Sequence, residues 1–76
     1  MRNNINEEQI KKFKNDLLTM DVNLYCEFVT PLTKFEWKVL REFMVGNFIY
    51  YFNTFEKIYN KFYKFIGNEV KNNVKN

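Results

Sequence analysis

The 76-residue sequence has no alanine, no serine and no histidine, and it has only one cysteine, one proline and two glycines. Each gap removes a class of chemistry. Without serine or histidine, neither a serine-histidine nor a cysteine-histidine nucleophilic pair can be assembled. One thiol and no imidazole cannot supply the nitrogen and sulfur ligands of an ordinary zinc site. Gly46 and Gly67 stand too far apart to form a phosphate-cradling loop. Cys26 has no partner for an internal disulfide, which fits a reducing compartment, and it reads as a small hydrophobe rather than a nucleophile. The remaining carboxylates follow the same pattern. Glu36 serves a helix cap, and Asp16, Asp21, Glu27 and Glu42 show no spacing that converges on a metal. General acid-base work needs positioned groups with shifted pKa values. The expectation is a binding protein, not an enzyme, with no cofactor and no metal.

Long apolar runs are missing as well. No window approaches the roughly 18 uncharged apolar residues of a membrane span, and the opening MRNNINEEQIKK lacks the apolar run of a signal peptide. The chain therefore reads as cytoplasmic. Its net charge of +3 is unevenly placed. Residues 1–45 hold seven acidic and seven basic side chains, whereas residues 46–76 hold Glu56 and Glu69 against five lysines. A surplus of this size suits nucleic acid, an anionic membrane or an acidic protein surface without choosing among them.

What fills the chain is narrow in type: Asn, Lys, Ile, Phe and Tyr account for 41 of 76 residues. These residues are encoded by AT-rich codons, which points to an AT-rich bacterium or to its phages and mobile elements. A chain this short buries only about 60% of the surface its unfolded form exposes. Small domains compensate with disulfides, metals or oligomerisation, and only oligomerisation is left. Fifteen aromatic side chains, each able to bury on the order of 150 to 250 Å², strengthen the expectation of a homodimer.

More than half of Asn47–Ile66 is Phe, Tyr or Ile. Phe48, Phe52, Phe55, Tyr59, Phe62 and Ile66 recur at four and three, the spacing of one helical face. Lys57, Lys61, Lys64, Lys71 and Lys75 run along the opposite side. The result is a helix with an aromatic front and a lysine back. The front reads as core shared with a second copy or a partner. The back reads as a solvated face, with Lys57, Lys61, Lys64 and Lys71 as candidate anion contacts.

Taken in order, Asn6 to Gln9 has the form of a capping box, and Ile10, Phe13, Leu17 and Met20 give a narrow helical stripe that should stop near Met20. From Asp21 the period changes to two. Val22, Leu24, Cys26 and Phe28 alternate with Asn23, Tyr25 and Glu27, and the run extends to Val29, which predicts a half-buried strand. No second strand follows, so the strand is expected to pair with its copy across the dimer axis. Thr33 to Glu36 is a second capping box and opens a buried central helix carrying Phe35, Trp37, Val39, Leu40, Phe43, Met44 and Val45. Gly46-Asn47 ends it in a left-handed turn, with the aromatic helix following immediately. Residues 68–76 read as a frayed tail. The expected fold is one domain over residues 1–76, α+β and mostly α, in the order helix-strand-helix-helix. Leu24, Phe28, Trp37, Phe52, Phe55, Tyr59 and Phe62 are the expected dimer or partner interface.

In order and length of elements, Val22 to Ile66 resembles the ribbon-helix-helix repressors, whose paired strands enter the major groove. That resemblance implies a dimeric DNA-binding regulator, with Asn23 and Tyr25 reading bases. Against it, the strand carries no Arg or Lys, Glu27 would face phosphates, and a helix precedes it. Attachment to a membrane surface would use the aromatic front, but the lysines lie opposite the apolar centre and do not flank it. The favoured expectation is a small protein-binding regulator or inhibitor of phage or mobile-element type, for example an anti-defence or anti-CRISPR protein, docking on a target protein.

Overall fold

Caps set the helix boundaries. The computed structural model describes residues 5–74, with side chains as far as Asn68. Asn6 is extended (φ −91°, ψ 176°), its side chain accepts from the Gln9 N–H at 2.9 Å, and the Gln9 side chain accepts from the Asn6 N–H at 2.9 Å. This box starts α1 (Glu7–Thr19), which closes at Met20 in extended backbone. Thr33 and Glu36 form the same reciprocal pair, both bonds at 3.1 Å, and start α3 (Lys34–Gly46). Each box satisfies two amides that the first helical turn leaves without partners.

The segment expected to be a strand is α2 (Val22–Val29), and no strand occurs among the described residues. Asp21 is its N-cap. The Asp21 carboxylate accepts from the amides of Asn23 (2.9 Å) and Leu24 (3.3 Å), and the Asp21 carbonyl accepts the first helical bond from Tyr25. At the other end, the amide and hydroxyl of Thr30 both donate to the Cys26 carbonyl. Eight residues are too few for periodicity to separate a period of two from one of 3.6. Burial separates them. Leu24, Tyr25, Phe28 and Val29 are buried or half-buried, the pattern of one helical face, while Val22 and Cys26 of the supposed inner strand face are exposed. The α+β fold and the ribbon across a dimer axis are therefore replaced by four helices, and Asn23, Tyr25 and Glu27 lose the strand on which a DNA-reading ribbon depended.

The chain divides into two compact units, Met1–Pro31 and Leu32–Asn76. In the first, Phe13 and Leu17 of α1 and Phe28 of α2 are buried, and Lys12 and Asp16 pair at 2.8 Å one turn apart on α1. In the second, α3 packs against α4 (Phe52–Val74). Phe43 meets Phe55 edge-on at 5.0 Å, and Glu36 meets Lys61 at 2.8 Å. Earlier residues of α3 thus meet later residues of α4, so the two form an antiparallel hairpin. Val39, Leu40, Phe43, Phe55, Ile58 and Phe62 are its buried apolar side chains, each worth about 1.5–3 kcal/mol on removal from water.

Two features of the hairpin depart from expectation. The aromatic helix does not follow directly on Gly46-Asn47, because residues 47–51 form a connector and Phe48 lies outside α4. Asn47 is left-handed (φ 60°) as expected, and its amide donates to the Phe43 carbonyl at 2.9 Å. Tyr51 is left-handed too (φ 56°), and the chain re-enters the helix only after it. Secondly, α3 is buried on one face only, with Phe35, Trp37 and Val45 exposed. The helical backbone of α4 continues past Gly67 to Val74, so the tail expected from residue 68 begins in helix, and residues 75 and 76 lie outside the described residues.

The cap on α2 is testable. Asp21→Ala should cost about 1 kcal/mol, the usual value for a lost N-cap, seen as a lower urea midpoint and weaker helical circular dichroism at 222 nm. A strand starting at Val22 would leave the helical signal unchanged.

Candidate protein-docking surface

The outer side of α3 follows from its buried side. Glu36, Val39, Leu40 and Phe43 turn inward, and at 3.6 residues per turn Lys34, Lys38, Arg41 and Val45 fall on the opposite side. Trp37 and Phe35 mark the two flanks, about 160° apart around the helix. On the first flank Trp37 is 45% exposed, and the Arg41 guanidinium sits 5.7 Å from its ring centroid. That geometry is a cation–π contact. It holds both side chains while leaving each open to solvent.

On the second flank Phe35 meets Tyr51 edge to face at 4.9 Å, and in the connector Phe48 stacks on Tyr50 at 5.8 Å. A Cβ at Gly46 would lie 2.7 Å from the Phe48 ring, so the glycine lets that ring cover the helix end. Left-handed backbone costs a non-glycine residue roughly 1–2 kcal/mol, yet Tyr51 adopts it and remains 67% exposed. Strained residues of this kind cluster at working surfaces. Tyr50 and Tyr51 line an open pocket of about 440 Å³ together with Lys38 and Glu42 of α3. Lys38 and Glu42 are one turn apart, but neither forms an ion pair among the described residues.

The lysine back is not a uniform solvated face. Lys61 donates to Glu36 at 2.8 Å across the hairpin, and Glu36 is only 9% exposed. The Lys61 hydrogen bond holds the Glu36 carboxyl below its ordinary value of 4.5 against the opposing effect of burial, with further help from the Thr33 amide and from the charges of Lys61 and Lys57. Lys61 is thus committed within the fold. Lys57 and Lys64 are exposed, and the Lys71 side chain lies outside the described residues.

The expected interface residues fall into different settings. Phe28, Phe55 and Phe62 are buried, Leu24 and Tyr59 are half-buried, and Tyr59 packs against Tyr63 with ring centroids at 4.9 Å. Trp37 and Phe52, 43% exposed, are the two that open to solvent. Asn23 and Tyr25 lie on α2, Asn23 exposed and Tyr25 half-buried. The sequence placed Arg41 on the polar strip of α3, as found, but did not join it to Trp37, and it missed Phe35, Tyr50 and Tyr51 as surface residues. The signal for Arg41 was its spacing of four from Trp37. The tyrosines were hidden by carrying the helical pattern through the connector.

Among the described residues no group of three or more Cys, Asp or Glu side chains could hold a metal ion, and no helix is long and apolar enough to cross a membrane. No protein-family model matches the chain, and no curated protein or solved structure matches it either.

Glu36 makes stability depend on pH in a stated direction. A carboxylate whose pKa is lowered by folding contributes stability that is complete above its unfolded value and is lost as pH falls through the folded one. Glu36→Gln keeps a side chain able to complete the cap and removes the charge. The variant should unfold at a lower urea concentration than the parent at pH 7, and the gap should close as pH falls below 4.5. A gap that persists unchanged at about pH 3 would assign the effect to something other than the charge.

Proposed function

We propose that this chain is a small, non-enzymatic regulator or inhibitor that acts in the cytoplasm by docking on a target protein through the Trp37–Arg41 flank of α3. The observation that carries the reading is a tryptophan, 45% exposed, stacked beneath an arginine on a helix whose other face is fully engaged in the hairpin core. Trp and Arg are enriched among the few residues that carry most of the binding energy at protein interfaces. A ring already held by a guanidinium loses less freedom on binding than a loose one.

Composition and size supply the rest. A chain without serine or histidine and with one exposed cysteine has a surface to offer rather than a reaction. A composition dominated by Asn, Lys, Ile, Phe and Tyr, residues with AT-rich codons, fits the small anti-defence proteins of phages and mobile elements.

The test is capture from a lysate of an AT-rich bacterium by the parent chain, with nuclease treatment in parallel. A protein retained by the parent after nuclease should be retained at least tenfold less by Trp37→Ala and by Arg41→Ala, the effect of losing a residue worth about 2 kcal/mol. Circular dichroism should show both variants folded, since both side chains are exposed. Capture that vanishes with nuclease, or that survives Trp37→Ala undiminished, would overturn the reading.

A further inference from the structure

The Phe35 flank carries a different message from the Trp37 flank. Phe35, Tyr51, Tyr50 and Phe48 form a linked series, through the 4.9 Å contact of Phe35 with Tyr51, the pocket shared by Tyr51 and Tyr50, and the 5.8 Å stack of Tyr50 on Phe48. All four rings are 46–67% exposed, which at the usual 150–250 Å² per aromatic side chain leaves roughly 400 Å² of ring surface facing water. One side of a standard interface covers about 800 Å², a little over half of it apolar. The patch therefore matches the apolar part of one side of an interface, and a short chain with a single cysteine has reason to use it.

Charge selects the occupant. The pocket in the patch is lined by one cation, Lys38, and one anion, Glu42, and neither is in an ion pair among the described residues. An acidic partner or a nucleic acid would meet Glu42 as a repulsive charge, and a basic partner would meet Lys38. A second copy of this chain meets neither problem. A twofold interface brings the same patch together with itself, so that a contact from residue i to residue j occurs twice. With the axis passing between Lys38 and Glu42, each lysine faces the glutamate of the other copy.

We infer that the chain is a homodimer joined through the Phe35, Phe48, Tyr50 and Tyr51 patch, with two reciprocal Lys38–Glu42 ion pairs across the axis. This surface is separate from the Trp37–Arg41 flank, so a dimer presents two docking flanks for the proposed target. It also places the dimer seam on α3 and the connector rather than on residues 22–29.

Sedimentation equilibrium tests the arrangement. The parent chain should sediment as a dimer at micromolar concentration. Lys38→Glu puts two pairs of like charges across the axis, as does Glu42→Lys, and each should weaken association at least tenfold with circular dichroism unchanged. The double swap, Lys38→Glu with Glu42→Lys, should restore association to near the parent value. An equimolar mixture of the two single variants should form a heterodimer, because all facing charges are then opposite. A parent that is monomeric at 200 μM overturns the inference. Single variants that associate like the parent, or a mixture that stays monomeric, would overturn it equally. None of these results bears on whether Trp37→Ala abolishes capture of a target, so the two proposals fail separately.

Discussion

Glu36 ties the helix start to the helix pair. One carboxylate oxygen completes the capping box with the Thr33 amide at 3.1 Å, and the other receives the Lys61 ammonium at 2.8 Å from a residue 25 positions further along the chain. The side chain is largely removed from water, so an unpaired charge there would be costly. Both bonds are charge-assisted. A feature that normally belongs to one turn of helix therefore also anchors α4 on α3. With Phe43 against Phe55 at the opposite end, it fixes an antiparallel hairpin at two separated points.

That hairpin explains why the flanks of α3 carry open aromatic rings. Two helices joined by a short connector cover only one face of each other, and α3 places Glu36, Val39, Leu40 and Phe43 there. Phe35 and Trp37 fall on the flanks and are left half open. The connector adds Phe48, Tyr50 and Tyr51 beside Phe35, because the left-handed turns at Asn47 and Tyr51 stop the helix from running through. In physical terms the chain uses its limited buried volume for Phe43, Phe55, Ile58 and Phe62. Phe35, Trp37, Phe48, Tyr50, Tyr51 and Phe52 stay 43–67% exposed, and these are the rings that the proposed partners would cover.

Local chemistry was legible in the sequence wherever it was a matter of named groups at fixed spacing. Asn6 with Gln9, Thr33 with Glu36, and the left-handed Asn47 all stand as the residues indicate. Residues 22–29 were misread because eight residues fit two periods, and Asp21, an ordinary N-cap, was taken as the edge of a strand. The start of α4 was misplaced because Phe48 continues the spacing of Phe52 and Phe55, although it lies outside the helix. The Glu36–Lys61 pair was not legible at all. Its partners are 25 residues apart, and both had been given other tasks, Glu36 a purely local cap and Lys61 a solvated or anion-binding face. Spacing reports neighbours on one helix, and only the packing of α3 on α4 brings these two together.

The central claim is that Glu36 and Lys61 act on each other and do not merely lie close. A double-mutant cycle with Glu36→Gln, Lys61→Met and the combined variant, read from urea midpoints at pH 7 and low salt, isolates that coupling. The pair has one partner nearly buried and one, Lys61, with a half-exposed side chain, so the expected coupling is about 1 kcal/mol, near the top of the range for exposed pairs. Effects of the two single variants that simply add would contradict the claim and leave the hairpin to its apolar contacts alone.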